Sequence, residues 1–288
     1  MSKKLQGIIF IILSAFCFAW MSAFVRLAGD LPSIQKSFFR NFVALIFSTI
    51  VLLRSKEKFR FNTKNLPDLF CRAFFGTIGL LCNFYAVDHL MLADASILNK
   101  LSPFFAVVFS FFLLKERIRP YQLAAVVIAF IGSLFVIKPS ASALSQTIPS
   151  LVGFAGGMGA GIAYTFVRKL SSQGERGAFI VFFFSAFSCL VTLPYILFFY
   201  QPMQLWQLGY LLMAGLAAAG GQFTITAAYS RAPAREISVF DYTQIIFSSS
   251  LGFFLFGQVP DVWSVFGYVV ICGVSVWMAM MNLKKSHV

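Results

Sequence analysis

Most of the chain consists of apolar stretches of about 20 residues, separated by short charged or Pro/Gly-containing segments. A helix of that length and composition is what crossing the hydrocarbon core of a bilayer requires. Such stretches lie at 6–27, 33–53, 69–90, 93–114, 120–138, 148–168, 177–199, 206–229, 234–256 and 262–282. We therefore predict an all-α membrane protein with ten transmembrane helices.

The composition excludes the soluble and disordered classes of protein. Hydrophobic residues make up 59% of the 288 residues and charged residues 11%, whereas soluble domains average about 45–50% apolar and 25% charged residues. The first stretch is as long as a full span, so we interpret it as a helix and not as a signal peptide. We expect the five cysteines to be small buried hydrophobic residues. With only two histidines, no histidine-ligated metal site is expected.

No sequence motif indicates an enzyme. The chain lacks a glycine-rich phosphate loop that ends in Lys-Ser/Thr, so ATP is not expected to be the direct energy source. No set of Ser, His and Asp residues suits nucleophilic catalysis. We predict no cofactor and no catalytic residues.

The positions of the basic residues predict the orientation in the membrane. With the N-terminus inside, 17 of the 23 Lys and Arg residues fall on the inner side, and only Lys138 falls in an outer loop. Cytoplasmic loops of membrane proteins carry this excess of positive charge. We predict a bacterial inner-membrane protein with both termini cytoplasmic. The net charge of +13 is then a topology signal, and no nucleic-acid partner is expected.

The two halves of the chain resemble each other. Residues 86–137 can be laid over 227–278 at an offset of 141, and the triplet Phe-Val-Arg at 24–26 recurs at 166–168. Each half would hold five helices, and an odd number gives the halves opposite orientations. We predict two inverted repeats, 1–140 and 141–288, in one membrane domain. Inverted repeats are typical of transporters whose solute site lies at the repeat interface.

Several residues of the repeat carry a resemblance to a known family. They are Ala93, Pro103, Leu114-Lys115-Glu116-Arg117 and Gly132 in the first half, and Ala227, Ala234 and Gly273 in the second, where Gln244 and Gly257 replace the proline and the glutamate. On these residues the chain resembles the EamA-type transporters of the drug/metabolite transporter superfamily. The motif Phe38-Phe39-Arg40 is similar to the branch that contains S-adenosylmethionine transporters. The resemblance implies secondary transport of a small organic solute.

Two charged residues at membrane depth are counterparts at the offset of 141. Lys100 lies in the fourth stretch, and Asp241, interpreted as the only acid deep in a helix, lies in the ninth. Lys100 is a candidate for binding a carboxylate or phosphate, and Asp241 for binding an amine or a coupling proton. For each residue the alternative is a structural ion pair.

Two arginines and one proline are also singled out. Arg40 should lie near the depth of Lys100, where it could bind a carboxylate through two hydrogen bonds or anchor the helix. Arg72 lies near the inner start of the third stretch, so we expect its side chain to reach the inner surface. Pro103 is the candidate hinge, because it leaves the carbonyl of Asn99 without an amide partner; a static kink is the alternative.

Further polar and aromatic residues complete the predicted solute site. Amide and hydroxyl groups are available for hydrogen bonds at Asn83, Asn99, Gln222, Thr224, Thr226 and Gln244. Aromatic walls are available at Trp20, Tyr85, Tyr164 and Tyr242. A glycine every four residues, at Gly153, Gly157 and Gly161, predicts close helix packing.

The combined prediction is a secondary transporter of a small polar or zwitterionic metabolite. Alternating access between the repeats would move an amino-acid- or nucleoside-derived solute, for example one like S-adenosylmethionine. The partners would be this solute and the lipid bilayer, with a coupling proton or a counter-substrate and a homodimer left open. The alternatives are a proton-coupled exporter of amphiphilic drugs and a membrane scaffold that transports nothing.

Overall fold

The computed structural model describes residues 3–114, 120–137, 144–231 and 240–284. Within these ranges it consists of α-helices and one 3-10 turn, Thr63–Asn65, without a strand. The helices are α1 Lys3–Leu27, α2 Ser33–Arg54, α3 Leu66–His89, α4 Leu92–Asn99, α5 Ser102–Leu114, α6 Pro120–Ile137, α7 Leu144–Ser172, α8 Gly177–Phe199, α9 Leu205–Arg231, α10 Thr243–Phe256 and α11 Val262–Lys284.

Eight of the ten predicted stretches correspond to one helix each, with ends that differ by at most four residues. The fourth stretch, 93–114, is also long and apolar enough to be a span, but a turn at 100–101 divides it into α4 and α5. The ninth stretch is also interrupted, because a turn at Tyr242 precedes α10. Its beginning, 234–239, lies outside the described residues.

In the part of the chain that the structure describes, seven helical stretches are long and apolar enough to cross a membrane, and three shorter apolar helices occupy the remaining predicted positions. The helices of the described bundle expose large apolar side chains such as Phe198, Leu205, Phe254 and Val262, each at least 78% exposed. An apolar surface of this kind suits contact with lipid. The all-helical membrane fold is therefore confirmed, while the count of ten crossings stays a prediction.

The helices pack in corresponding pairs. In the two halves α1 corresponds to α7, α2 to α8, α3 to α9, and the broken helix α4–α5 to α10. The contact of α1 with α9 thus has its counterpart in that of α7 with α3, and the contact of α2 with α9 in that of α8 with α3. The contact of α1 with α10 likewise matches the contacts of α7 with α4 and α5. α2 with α8, and α6 with α11, pair across the two halves. Exchanging each helix for the one at the same place in the other half thus reproduces the packing.

Glycines let α7 approach its neighbours at backbone distance. A Cβ atom on Gly79 of α3 would lie 2.9 Å from the amide nitrogen of Ala160, and one on Gly157 of α7 would lie 2.4 Å from the carbonyl oxygen of Leu98. Gly161 is equally close to α5. The predicted close packing at the glycine stripe is confirmed, and it presses α7 against the end of α4.

The basic loops gather at one end of the bundle, here called the Arg176 end. There Arg176 donates hydrogen bonds to the carbonyl oxygens of Lys58 and Arg60, and Lys169 pairs with Asp68 at 2.8 Å. The opposite end, here called the Asp88 end, carries the loops that follow α1 and α3. Part of the predicted charge pattern lies outside the described residues, namely Lys115, Arg117, Arg119, Lys138, Arg235 and Lys285.

Candidate functional site: a central cavity beside two broken helices

Two helices are interrupted at equivalent positions in the two halves. A turn at Lys100 and Leu101 separates α4 from α5, and in the second half Asp241 is the last helical residue before the turn at Tyr242. The helices that follow begin at positions 102 and 243, which keeps the offset of 141. Pro103 is the second residue of α5, where a missing N–H costs no intrahelical hydrogen bond, because the first N–H groups of a helix have no intrahelical acceptor. The break therefore precedes the proline that was predicted to be the hinge.

The two breaks are joined by an ion pair. The Nζ atom of Lys100 lies 2.7 Å from Oδ2 of Asp241, and their side chains are 3% and 1% exposed. Neither oxygen of Asp241 accepts a well-aligned hydrogen bond from a described residue, so the contact is mainly Coulombic attraction, which is strong in a low dielectric. The ion-pair alternative for both residues is the arrangement found here.

Hydrogen bonds reinforce this junction. The hydroxyl of Tyr242 donates to the carbonyl oxygen of Lys100 at 2.8 Å, and the hydroxyl of Ser96 in α4 donates to that of Ser248 in α10 at 2.7 Å. All four residues are buried. The broken helices of the two halves are thus held against each other by one ion pair and two hydrogen bonds.

A cavity of about 60 Å³ lies next to the junction, and we call it the central cavity. Its polar lining consists of Arg40, Arg72, Asn83, Asn99, Tyr164, Gln222 and Gln244. One water needs about 10–15 Å³ of such space, whereas ligand pockets span roughly 300–1,000 Å³. In this conformation the cavity can hold a few waters, and it must widen to admit a metabolite.

Two arginines converge on the central cavity. Arg40 of α2 and Arg72 of α3 are 1% and 2% exposed, and their guanidinium carbons lie 5.8 and 4.1 Å from the ring centre of Phe184. Arg72 donates to the amide oxygen of Gln222 at 3.1 Å, and Arg40 donates to Asn41. Among the ion pairs between described residues, neither arginine has an acidic partner.

Several polar atoms at the cavity keep unused hydrogen-bonding capacity. The Nε atoms of Arg40 and Arg72 and the Oε1 atom of Gln244 are buried and have no hydrogen-bond partner among the described residues. Buried polar groups are nearly always paired, so unpaired ones call for an explanation. Two cationic donors and one amide acceptor around one space can bind a solute that carries an anionic group and a hydrogen-bond donor.

The structure brings together six of the eleven predicted solute-binding residues. Those that line the central cavity are Arg40, Asn83, Asn99, Tyr164, Gln222 and Gln244. Lys100, Asp241 and Tyr242 form the junction beside it. Trp20 packs against Phe16 and Phe24 instead, and Tyr85 stacks on His89 near the Asp88 end.

Arg72 corrects a prediction. We expected its side chain to reach the inner surface, but it is buried and points into the central cavity. The reason is that α3 begins at Leu66, directly after the turn Thr63–Asn65, three residues before the predicted start. Arg72 is therefore nearly two helical turns inside the helix, and Gln222 and Phe184 hold its guanidinium there.

The sequence had suggested that Asp241 is the only acid deep in a helix, but other acids also lie inside the bundle. Asp94 in α4 is 7% exposed and accepts a hydrogen bond from the hydroxyl of Tyr268 at 2.6 Å. Asp88 near the end of α3 pairs with Lys36 at 2.5 Å. Both acids lie close to predicted helix ends, where sequence alone does not distinguish a buried side chain from a solvated one.

Cavity residues other than Arg72 were also missed. Phe18, Met21 and Phe184 form apolar walls, and Gly76 and Gly79 form part of the floor on α3. Phe184 is one of 37 phenylalanines, so its residue type carries no signal. Only the position of Phe184 between the two arginines distinguishes it, and that position depends on how α8 packs on α2 and α3.

The family model of EamA-like transporters matches residues 5–138 and again residues 147–280. The chain belongs to the EamA-like transporter family. The predicted resemblance to the drug/metabolite transporter superfamily is thereby confirmed, and this EamA-like protein is a multi-pass membrane transporter. A solved crystal structure superposes with a TM-score of 0.71 at 17% identity, covering 98% of this chain and 99% of the other. That match supports the fold.

Three relatives of this EamA-like transporter have names that describe a transporter. The pseudopaline exporter CntI of Pseudomonas aeruginosa is 33% identical over 97% of both chains. An uncharacterized transporter of Helicobacter pylori is 25% identical over 98% of this chain and 97% of its own. Human solute carrier family 35 member G1 is 24% identical over 97% of this chain and 80% of its own. These relatives do not support the S-adenosylmethionine-like solute.

Proposed function

We propose that this protein is a secondary transporter that exports a small carboxylate-bearing, zwitterionic metabolite. The central cavity would be the solute site, with Arg40 and Arg72 as the ligands of the anionic group. The observation that carries this proposal is that both arginines are buried and have no acidic partner among the described residues.

The energetic argument concerns an uncompensated charge inside a membrane. Placing one arginine at the centre of a spanning helix costs about 2.5–3.5 kcal/mol on insertion scales. Contact with Phe184 and neutral amides offsets only part of this cost. A carboxylate is the planar partner that a guanidinium binds through two parallel hydrogen bonds. Its arrival would supply the missing counter-charge.

The remaining lining suits the other half of a zwitterion. The amide oxygen of Gln244 has no hydrogen-bond partner in the described ranges, and Asn99 adds a second amide close to the junction of the broken helices. Amide oxygens accept hydrogen bonds from a solute ammonium group. The alternative drawn from the sequence is a proton-coupled exporter of amphiphilic drugs, and any such drug that is cationic would have to lie against Arg40 and Arg72.

Alternating access between two inverted repeats would move the solute. The corresponding helix pairs and the two breaks at the same offset support this model. The ion pair of Lys100 with Asp241 would keep the broken helices together while the remainder of each half reorients. The narrow central cavity fits a state between loading and release.

Export is the direction favoured by the similarity to the pseudopaline exporter. The Arg176 end would face the cytoplasm of a bacterium, since basic loops stay inside. Asp30→Cys and Gln173→Cys, at opposite ends of the bundle, test this orientation. An impermeant thiol reagent added to intact spheroplasts should label the first variant and spare the second; labelling of both or neither would contradict the model.

A ligand screen tests the solute class. Purified protein would be heated with pairs of compounds that differ only in a carboxylate or its amide, because a specific ligand raises the unfolding temperature. We expect stabilisation by carboxylates that also carry an amine, and its loss in Arg40→Gln. Arg54→Gln is the matched control, because this arginine lies on the same helix but is exposed. Equal stabilisation by acid and amide would refute the proposal.

A further inference from the structure

A second cavity opens at the Asp88 end of the bundle. It has a volume of about 540 Å³, which lies within the range of small-molecule sites, and we call it the vestibule. Charged groups of both signs line it, namely Arg26, Asp30, Lys36 and Asp88, beside the rings of Tyr85 and His89. Of these residues only Tyr85 was among those predicted to bind solute.

The ion pair of Lys36 with Asp88 lines the vestibule one helical turn along α2 from a residue of the central cavity. Lys36 lies four residues before Arg40 on α2, so the two side chains occupy the same helix face one turn apart. Lys36 lines the vestibule and Arg40 the central cavity. Lys36 is 2% exposed while the side chain of Asp88 is 15% exposed. The ammonium group of Lys36 is thus more deeply buried than the carboxylate of Asp88, and it lies on the α2 face that continues to Arg40.

The contacts of Asp88 are those of a bound carboxylate. Its Oδ1 atom accepts a hydrogen bond from Nζ of Lys36 at 2.5 Å, and its Oδ2 atom accepts one from the hydroxyl of Ser33 at 2.8 Å. An ammonium and a hydroxyl that hold the two oxygens of one carboxylate can hold those of another. In this conformation the protein's own carboxylate occupies the position.

We propose that Lys36 is a third ligand for the carboxylate of the solute, and that Asp88 occupies its position in the absence of solute. A solute that leaves Arg40 would exchange with Asp88 at Lys36 and Ser33 before it enters the vestibule. Return of Asp88 to Lys36 would then close the path. This inference rests on the proposed transport of a carboxylate, and it adds a site that the central cavity does not contain.

The first test exposes the Lys36 site and removes the central one. In an Arg40→Gln/Arg72→Gln background, Asp88→Asn should leave Lys36 and Ser33 free to bind citrate. We expect citrate to raise the unfolding temperature by roughly 3 °C relative to sodium chloride of equal ionic strength. The rise should be absent without Asp88→Asn, and adding Lys36→Met should abolish it. No rise, or a rise that survives Lys36→Met, would overturn the proposal.

The second test does not require an unpaired lysine in the folded protein. Lys36→Met/Asp88→Met replaces a buried ion pair with apolar side chains, which commonly preserves stability. The readout is Met21→Cys in the central cavity, with alanine at the five native cysteine positions. Anionic and cationic methanethiosulfonates of similar size would label it from the Asp88 end.

The ratio of the labelling rates of the anionic and cationic reagents distinguishes anion binding at Lys36 from access that is equally open to both reagents. We expect the Lys36→Met/Asp88→Met variant to lower this ratio at least fivefold, because the ligand that an entering anion would bind after displacing Asp88 is gone while the net charge is unchanged. A ratio within twofold of the parent would make the pair merely structural. Failure of the proposed function would look different, because carboxylates would then not stabilise the parent through Arg40 and Arg72, whatever happens at Lys36.

Discussion

Two groups of charged side chains lie side by side in the bundle and differ in how their charge is balanced. Lys100 and Asp241 neutralise each other at 2.7 Å across the broken helices. Arg40 and Arg72 face the central cavity and have no carboxylate partner among the residues that the structure describes. All four residues are buried, so burial does not distinguish the two groups.

The two groups differ in whether their buried charges already have a counter-charge. Removing one member of the Lys100–Asp241 pair leaves the other as a buried charge without a counter-charge. Removing Arg40 or Arg72 instead eliminates a buried charge that has no acidic partner among the described residues. The first change should therefore reduce stability and the second should reduce binding. Each prediction below changes one of the two groups and asks whether stability and solute affinity respond separately.

The largest effect is expected at the ion pair. Lys100→Met leaves Asp241 without a counter-charge and should lower the free energy of unfolding by about 3–5 kcal/mol. Lys100→Met/Asp241→Leu should recover most of that loss, because no buried charge remains. Thermal unfolding of the purified variants measures both. If Lys100→Met were as stable as the parent, the ion pair would not be the contact that joins the halves.

A smaller effect, on affinity instead of stability, is expected at the arginines. A hydrogen bond to a charged group contributes about 1.5–3 kcal/mol, so Arg72→Gln should weaken binding of the carboxylate found in the ligand screen by roughly 10- to 100-fold. Arg72→Lys keeps the charge without the planar fork and should lie in between. Calorimetric titration measures the affinities.

The same arginine variants should unfold at or above the temperature of the parent. A drop of several degrees in Arg72→Gln, with unchanged affinity, would place Arg72 with the ion pair as a structural residue. That result would remove the distinction between the two groups.

The smallest effect is expected at the hydroxyl of Tyr242. Tyr242→Phe removes the hydrogen bond to the carbonyl oxygen of Lys100 and should cost about 1 kcal/mol of stability. Solute affinity should stay within twofold, because Tyr242 does not line the central cavity. Urea or thermal unfolding measures the first quantity, and titration with the same carboxylate measures the second. A large loss of affinity would extend the binding site into the junction.

Much of the fold was predictable because one physical rule dominates it. Apolar stretches long enough for the bilayer predicted eight helices with ends within four residues of those found. The rule fails at Lys100 and Asp241, where a stretch of the expected length contains a break. Such a break needs partners from another part of the chain, here Tyr242 and Ser248, and a linear pattern does not show them.

The residue types of the site were predictable, but their partners were not. A polar group at membrane depth is costly, so Arg40, Asn83 and Gln222 stood out from the sequence. The repeat related Lys100 to Asp241 as counterparts, which gives each a similar place in its own half. That relation says nothing about contact. Their pairing follows from the packing of α4 against α10.

The separation of Lys100 and Asp241 in the chain also has a consequence for biosynthesis. Asp241 is made 141 residues after Lys100, which at about 5–20 residues per second amounts to roughly 7–28 s of translation. During that interval the first half leaves the ribosome with its lysine and without the counter-charge. Lys100 would have to wait at the translocon, or near the membrane surface, until the ninth apolar stretch arrives. The counter-charge that Lys100 meets in the folded protein thus becomes available only when most of the second half has been synthesised.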